Sequence, residues 1–277
     1  MEMLILGLVL LLLGLIAFQW FYSQRKQKQR LYSALELISS LKKVISYTQK
    51  HRGLTATYLQ GNSEVRNELL ALKQDINAIT APLTDNPLLQ QEGRWDRYQD
   101  HWSRLKDNAE TLTVPGSFQQ HTHLIETLLY LLEDVAENIE FGGEQQKNPQ
   151  IHFLWHEFPK VIEFIGQARA IGVAVATKGE STQIDKVKLG YLYEKINTLS
   201  SQSFDRLSLL QAGSTLTQIE QAKQACSSLT QTIREQLINV NKVQLESKQY
   251  FDLASKTMDQ CNTVLDNEIN AIKHSYR

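Results

Sequence analysis

Between Thr215 and Ile272 the chain contains neither proline nor glycine. Nothing in its backbone chemistry punctuates that stretch, so one or two long helices are expected there. Met258, Cys261, Leu265 and Ile272 recur within it at heptad-like spacing, a stripe suited to packing inside a bundle or against a twin chain. Upstream, breakers fall at helix-length intervals. A long first helix is expected to run through Leu41 and Ile45 to Leu59 and to end near Gly61. Ser63 is the expected cap of a second helix that stops before Pro82, and Asn86-Pro87 the start of another segment. Gly93 precedes a Trp95, Tyr98, Trp102, Leu105 stripe. Pro115-Gly116-Ser117 is read as a break before an apolar helix from Leu124 to Ile139 that ends at Gly142-Gly143. Asn148-Pro149 should begin a helix that Gly179 ends, with Ser181 starting the next. No strand-like alternation persists anywhere for long. The expected fold class is all-α: an N-terminal transmembrane helix followed by an elongated antiparallel helical bundle with long helices.

The transmembrane expectation rests on Met3 to Tyr22, an almost unbroken run of Leu, Ile, Val, Gly and Phe in which Gln19 is the one strongly polar residue. Roughly 20 such residues cross a hydrocarbon core of about 30 Å, and Trp20, Phe21 and Tyr22 would anchor its end at the interface. A cleavable signal peptide fits poorly. Glu2 stands where a basic segment belongs, and no small-x-small cleavage site follows. Arg25, Lys26, Lys28 and Arg30 follow the span directly, with no basic residue before it, which places the bulk of the chain on the cytoplasmic side. The expected organisation is therefore residues 1–24 as anchor, 25–30 as a basic juxtamembrane segment and 31–277 as one helical domain.

Composition narrows the function by exclusion. The 29 basic and 30 acidic residues nearly cancel, to a net charge of −1. Apart from one short cluster there is no basic stripe, so no nucleic-acid partner is expected. Cys226 and Cys261, 35 residues apart, match neither a zinc nor a redox motif. His152 and His156 stand four apart, and His121 and His123 form a second close pair. However, the position a zinc protease would fill with its second histidine after His156-Glu157 is Lys160. Surface or partly buried helix histidines are the simpler reading, and Trp95, Trp102 and Trp155 read as core. Phosphate-cradling glycine loops, serine elbows and cysteine–histidine signatures are missing from the sequence, so neither an enzyme, a metal site nor a cofactor is expected.

Two arginines then stand out. Arg52 lies in Gln49-Lys50-His51-Arg52-Gly53-Leu54-Thr55-Ala56-Thr57-Tyr58-Leu59, and at helical spacing shares an otherwise apolar or small face with Ile45, Gln49, Thr55, Ala56 and Leu59. Arg169 lies in Ile165-Gly166-Gln167-Ala168-Arg169-Ala170-Ile171-Gly172-Val173, sharing a face with Ile162, Ile165, Gly172, Val173 and Ala176. A guanidinium cannot shed its proton, so burial demands an anionic partner. Only Glu163 lies near Arg169 in sequence, so either a carboxylate from elsewhere or a ligand must complete the balance. Each arginine precedes a Gly-x-Ser (Gly61-Asn62-Ser63 and Gly179-Glu180-Ser181), a rough internal pair offset by one position.

The Gln-x-x-Arg-Gly-Leu-Thr-Ala-x-Tyr-Leu run and the later Gln-Ala-Arg with its Gly/Ala-rich helix resemble the paired boxes of nitrate- and nitrite-sensing (NIT) domains. The resemblance covers roughly Leu31 to Ile272 in outline and is specific in the two boxes. Family members often carry an acidic residue before the first arginine, where this chain has His51. The resemblance implies an all-helical module of bacterial receptors and of a soluble antitermination regulator, with a small anion held between two helices by one arginine from each box.

On that reading Arg52 and Arg169 contact nitrate, nitrite or a similar anion. Gln49 and Thr55 donate to a remaining oxygen, and Gly172, with Ala56, lets the helices approach. A guanidinium fork matches two oxygens of a planar ion at once, which lysine cannot do. The chain would then be a single-pass protein of the bacterial inner membrane. Its bulk is cytoplasmic by the charge rule, or periplasmic as in many receptors of the family. Because the chain ends at Arg277, soon after its last periodic helix, a signal is expected to pass in trans to an unidentified signalling protein or through a homodimer. The alternative is a membrane-anchored scaffold or protein-interaction module without a small-molecule ligand, in which the two arginines need not face one buried gap.

Overall fold

The computed structural model describes residues 2–90, 93–139, 152–211 and 213–275. They form nine α-helices and no β-strand: α1 (Glu2–Leu59), α2 (Arg66–Thr80), α3 (Arg94–Asn108), α4 (Val114–Ile139), α5 (His152–His156), α6 (Phe158–Lys178), α7 (Gln183–Leu210), α8 (Gly213–Thr232) and α9 (Ser247–Ser275). The expected all-α architecture of long helices is what is observed. The ends at Gly142-Gly143 and Asn148-Pro149 lie outside the described residues.

At 58 residues α1 is roughly 87 Å long at 1.5 Å per residue, and it changes character partway. From Ile5 to Tyr22 its large apolar side chains are exposed, Leu12 at 59% and Phe18 at 70%. This is the single described helix long and apolar enough to cross a membrane. Burial begins at Leu31 and continues through Leu35, Ile38, Leu41 and Ile45, the spacing of one helical face. The helix stops where Gly61 adopts φ 102, open to a residue without a Cβ.

Two four-helix units share one continuous core. In the first, α2 and α4 pack on the lower part of α1, and α3 lies on α4. In the second, α7 and α9 pack on α6, and α8 joins them. The aromatic stripe of α3 is buried as expected (Trp95, Tyr98, Trp102, Leu105), and so is Trp155. The Met258, Cys261, Leu265 stripe of α9 turns into this core rather than outward. Cys226 and Cys261, unrelated by any motif, meet between α8 and α9 with sulfurs 3.5 Å apart as free thiols.

Several boundaries differ from expectation, each for a local reason. Asn62, not Ser63, caps the turn before α2, accepting from the Glu64 amide at 3.1 Å. Asn86-Pro87 starts no helix. The Asn86 side chain accepts from the Leu88 amide and its carbonyl from Leu89, closing a turn instead. Pro115-Gly116-Ser117 does not break the chain but forms the first turn of α4, where proline lacks only a hydrogen bond the helix would not make anyway. Thr182, not Ser181, caps α7 in a reciprocal capping box with Asp185.

The proline- and glycine-free stretch divides in two. A wide turn over Ile233–Ile238 closes with the Asn239 amide on the Arg234 carbonyl, and α9 starts only at Ser247. The intervening backbone is satisfied from outside. The Val243 amide donates to the Gly179 carbonyl at 2.9 Å, and Lys242 bridges to Glu180.

Gly172 faces α9. The ring of Tyr250 occupies the space a Cβ on Gly172 would need, and its hydroxyl donates to the Ala168 carbonyl at 3.0 Å. Gly172→Ala should therefore overpack the α6–α9 contact and lower unfolding free energy by about 1–3 kcal/mol. Thermal melts should show a clear drop, and a melt equal to the parent's would contradict this packing.

Candidate functional site

Arg52 sits seven residues before the end of α1, in the part facing α4 and α6, and is 3% exposed. Its counter-charge comes from the chain. Glu163 of α6, 2% exposed, takes Arg52 Nη1 on Oε1 at 2.6 Å and Nη2 on Oε2 at 3.2 Å. Gln49 donates to the same carboxylate at 2.9 Å, and Gln167 to its other oxygen at 2.9 Å. Glu163 thus accepts four hydrogen bonds, all from side chains of α1 and α6. In sequence Glu163 lies near Arg169, six residues away. The helix crossing assigns it to Arg52 instead.

Arg169 has no such carboxylate. Among the described residues it forms no ion pair. Its Nη1 donates to the Ser255 hydroxyl at 2.9 Å, and its guanidinium stacks on Phe251, 5.2 Å from the ring centre. Burial, and then the positive charge of Arg52, push its pKa below the usual arginine range, partly opposed by Asp259 and Glu163. The proton stays on, so the shift registers a charge that the surroundings under-compensate.

The two arginines are held in matching ways. Arg52 stacks on Phe118 of α4 at 5.3 Å and donates to Thr122, one turn further along the same helix, at 3.1 Å. Arg169 uses Phe251 and Ser255, likewise one turn apart, on α9. Each arginine faces a glycine on the other helix. A Cβ on Gly166 would lie 2.9 Å from Arg52 Nη2, and one on Gly53 would lie 3.9 Å from Arg169 Nη2. Close approach therefore depends on Gly166; a Cβ on Gly53 would make only an ordinary contact, and Gly172 serves the Tyr250 contact.

Both guanidinium groups line one cavity of about 1100 Å³. Gln49, Gly53, Ala56, Gly166 and Gln167 form its floor. Phe118 and Thr122 stand on one side, and Val187, Lys188 and Tyr191 of α7 on another. Of the residues expected to bind a ligand, Arg52, Arg169 and Gln49 meet here, and Thr55 and Gly172 are not among the lining. Thr55 is buried on the opposite side with its hydroxyl 3.3 Å from His51 Nδ1. Gln167 was visible in the Gln-Ala-Arg box, whereas Thr122, Phe118, Phe251 and Ser255 carried no sequence signal. What marks them is a Phe-x-x-x-Ser/Thr spacing on each supporting helix, recognisable once the arginines are placed.

Among the described residues the histidines do not gather into a metal site. Among the described residues no group of three or more metal-ligating side chains comes together, and the His152 side chain lies outside those described. His123 is exposed beside Glu126. His121 instead joins His51, with Nε2 2.7 Å from His51 Nδ1 and both rings buried. Since a carbonyl can only accept, His121 Nδ1 donates to Ser117 O at 2.7 Å. That leaves its Nε2 to accept from His51 Nδ1, with both rings neutral. His51, where the family's acidic residue often stands, thus fastens α1 to α4 away from the cavity.

Burial lowers the pKa of His51 to about 2, with His121 and Lys73 adding to the shift, and that of His121 to about 4, where the hydrogen bond to Ser117 partly opposes burial and Arg52 and His101 add to it. The unfolded chain takes up protons below the ordinary histidine value of about 6.5, while the folded pair does not. Stability is therefore full above that value and is lost as pH falls, by roughly 1.4 kcal/mol per unit for each histidine. Melting temperature should decline between about pH 6.5 and 5, before carboxylates titrate, and the decline should flatten in a His51→Gln, His121→Gln double variant. A pH-independent parent melt across that window would contradict the neutral pair.

A family model described as nitrate and nitrite sensing matches residues 43–272. No curated protein sequence matches the chain. Among solved structures, that of the NasR transcription antiterminator is similar, with a TM-score of 0.71 at 17% identity over 94% of this chain and 74% of that one. At that identity the likeness is one of fold.

Proposed function

Because the chain belongs to the nitrate- and nitrite-sensing family, we propose that it senses nitrate or nitrite bound in the α1–α6 cavity, between Arg169 and Arg52. The observation that carries this reading is Arg169. It is a permanently charged group lining a cavity, without a carboxylate partner among the described residues and beside a second guanidinium. A small planar anion satisfies the spare donors of its fork and offsets the charge that burial leaves uncompensated. Gln167 and Gln49 supply neutral donors at the same floor. A scaffold gains nothing from turning both arginines toward one cavity, so this geometry favours sensing over docking.

The exposed apolar length from Ile5 to Tyr22 serves as the membrane anchor, residues 25–30 as its basic flank and residues 31–277 as the sensor domain. The bulk of the chain then lies in the cytoplasm. A surface this apolar is not tolerated in water. Since α1 runs unbroken from the anchor to Arg52, a change in how α6 holds Arg52 acts on a rigid element reaching the membrane, and a partner protein or second copy reads it. A periplasm-only reporter fused to the C-terminus should be inactive in cells, and an active one would reverse the orientation.

Calorimetry on the full chain in detergent micelles and halide-free buffer should show saturable nitrate or nitrite binding. At a ceiling of ~1.5 kcal/mol per heavy atom, a four-atom ion reaches about −6 kcal/mol, a Kd of tens of micromolar at best. Ligand should also raise the melting temperature by mass action. Arg169→Lys should keep the fold but weaken binding about ten- to a hundredfold, since an ammonium lacks the planar fork and a charged hydrogen bond contributes roughly 1.5–3 kcal/mol. Arg52→Lys is the less clean test, because it also unpairs Glu163. The absence of heat with either ion up to millimolar concentration would refute the proposal.

A further inference from the structure

The two halves of the site share their supporting parts and differ in burial and in charge: Arg52 is almost wholly buried, whereas Arg169 is half-buried and its Phe251 exposed. Each arginine has its phenylalanine, its hydroxyl one turn further along the supporting helix, and a glycine on the facing helix. Among the described residues only Arg52 has a carboxylate, Glu163, bound through both oxygens and held by two glutamine amides. At the corresponding place beside Arg169 stands Ser255, a neutral hydroxyl.

We infer that Glu163 is the specificity-determining residue for ligand charge: by cancelling one of the two guanidinium charges that line the cavity it leaves a single positive charge, so the cavity accepts monoanions and rejects dianions. This rests on the anion-binding reading above and adds the basis of its selectivity. Two unopposed guanidinium groups would suit a dianion such as sulfate or hydrogen phosphate. With Glu163 in place, a dianion brings one more negative charge than these groups can balance. Beside Arg52 and Glu163, both almost wholly buried, that excess is costly. Geometry alone would exclude such ions weakly, since about 1100 Å³ is far larger than any of them. Charge has to do the excluding.

Other charges nearby weigh less, and Asp259 offsets Arg169 only in part. Glu126, Lys188 and Asp259 are exposed and screened by water, and Asp185 is engaged in the cap of α7. The four hydrogen bonds on Glu163 also keep it from turning into the cavity as a competitor. It stays a fixed countercharge, and the ligand stands where a second carboxylate would.

The test compares nitrate with sulfate by calorimetry on the full chain in detergent micelles and halide-free buffer, in the parent and two variants. The parent should bind nitrate at least tenfold more tightly than sulfate. Equal affinities would overturn the inference and leave the sensing proposal standing, whereas binding of neither ion would remove the site and both readings with it. Glu163→Gln raises the buried charge by one and should shift the nitrate-to-sulfate preference at least tenfold toward sulfate. A folded variant with the parent's preference would overturn the inference. Ser255→Asp gives Arg169 the carboxylate it lacks, and it should lose nitrate affinity at least tenfold while its melting temperature holds or rises. If Glu163→Gln does not fold, this variant decides the matter, because parental nitrate affinity in folded Ser255→Asp would show that the balance of charge does not govern binding.

Discussion

An arginine that enters a protein interior brings a charge it cannot give up, and the contact between α1 and α6 is built around that constraint. Arg52 is almost wholly buried, which is tolerable because Glu163 meets it through both oxygens and because Gln49 and Gln167 occupy the carboxylate's remaining acceptor sites. Those four side chains alternate between the two helices, so the ion pair fixes their relative register. A glycine follows from the same requirement. Gly166 gives Arg52 its room, and Gly53 faces Arg169 at ordinary contact distance.

Around this contact the molecule is nearly doubled. A box-bearing helix, closed by a glycine at positive φ (Gly61 and Gly179), is followed by three further helices, of which the last packs back and offers a phenylalanine and a hydroxyl one turn apart. The arrangement places two cations face to face at the junction of the two units. One is paired with a carboxylate and the other left to a hydroxyl, so the first charge is satisfied and the second is under-compensated among the described residues. The neutral His51–His121 pair secures the α1–α4 side of the same junction without adding charge, since a protonated imidazole there would face Arg52.

Much of the plan was legible in the residues. Helix content followed from the placement of Gly and Pro, the apolar start of α1 from its composition, and the candidate ligands Arg52, Arg169 and Gln49 from their position on small, apolar faces. The misreadings were local: Asn62 and Thr182 took capping roles assigned to neighbouring serines, and Pro115 opened a helix where it was expected to interrupt one. In each case several adjacent residues could do the job, and backbone direction chose among them. Thr55 lies three residues from Arg52 and Gly172 three from Arg169, but three residues turn a helix by about 300°. On helices packed on several sides, that rotation was enough to aim them at His51 and Tyr250 instead of the cavity.

The sequence by itself determined the helices, the apolar segment and the presence of two arginines that burial would oblige to find anions, because these depend on local periodicity and on the fixed charge of guanidinium. Tertiary structure alone decided which arginine received Glu163. The two candidates lie 111 and six residues from it along the chain, and the more distant one won because the α1–α6 crossing brings its fork within 2.6 Å. The same is true of Phe118, Thr122, Phe251 and Ser255, ordinary helix residues until packing sets them against a charge. Partner choice in a buried ion pair is governed by distance in space, and sequence separation says almost nothing about that between helices.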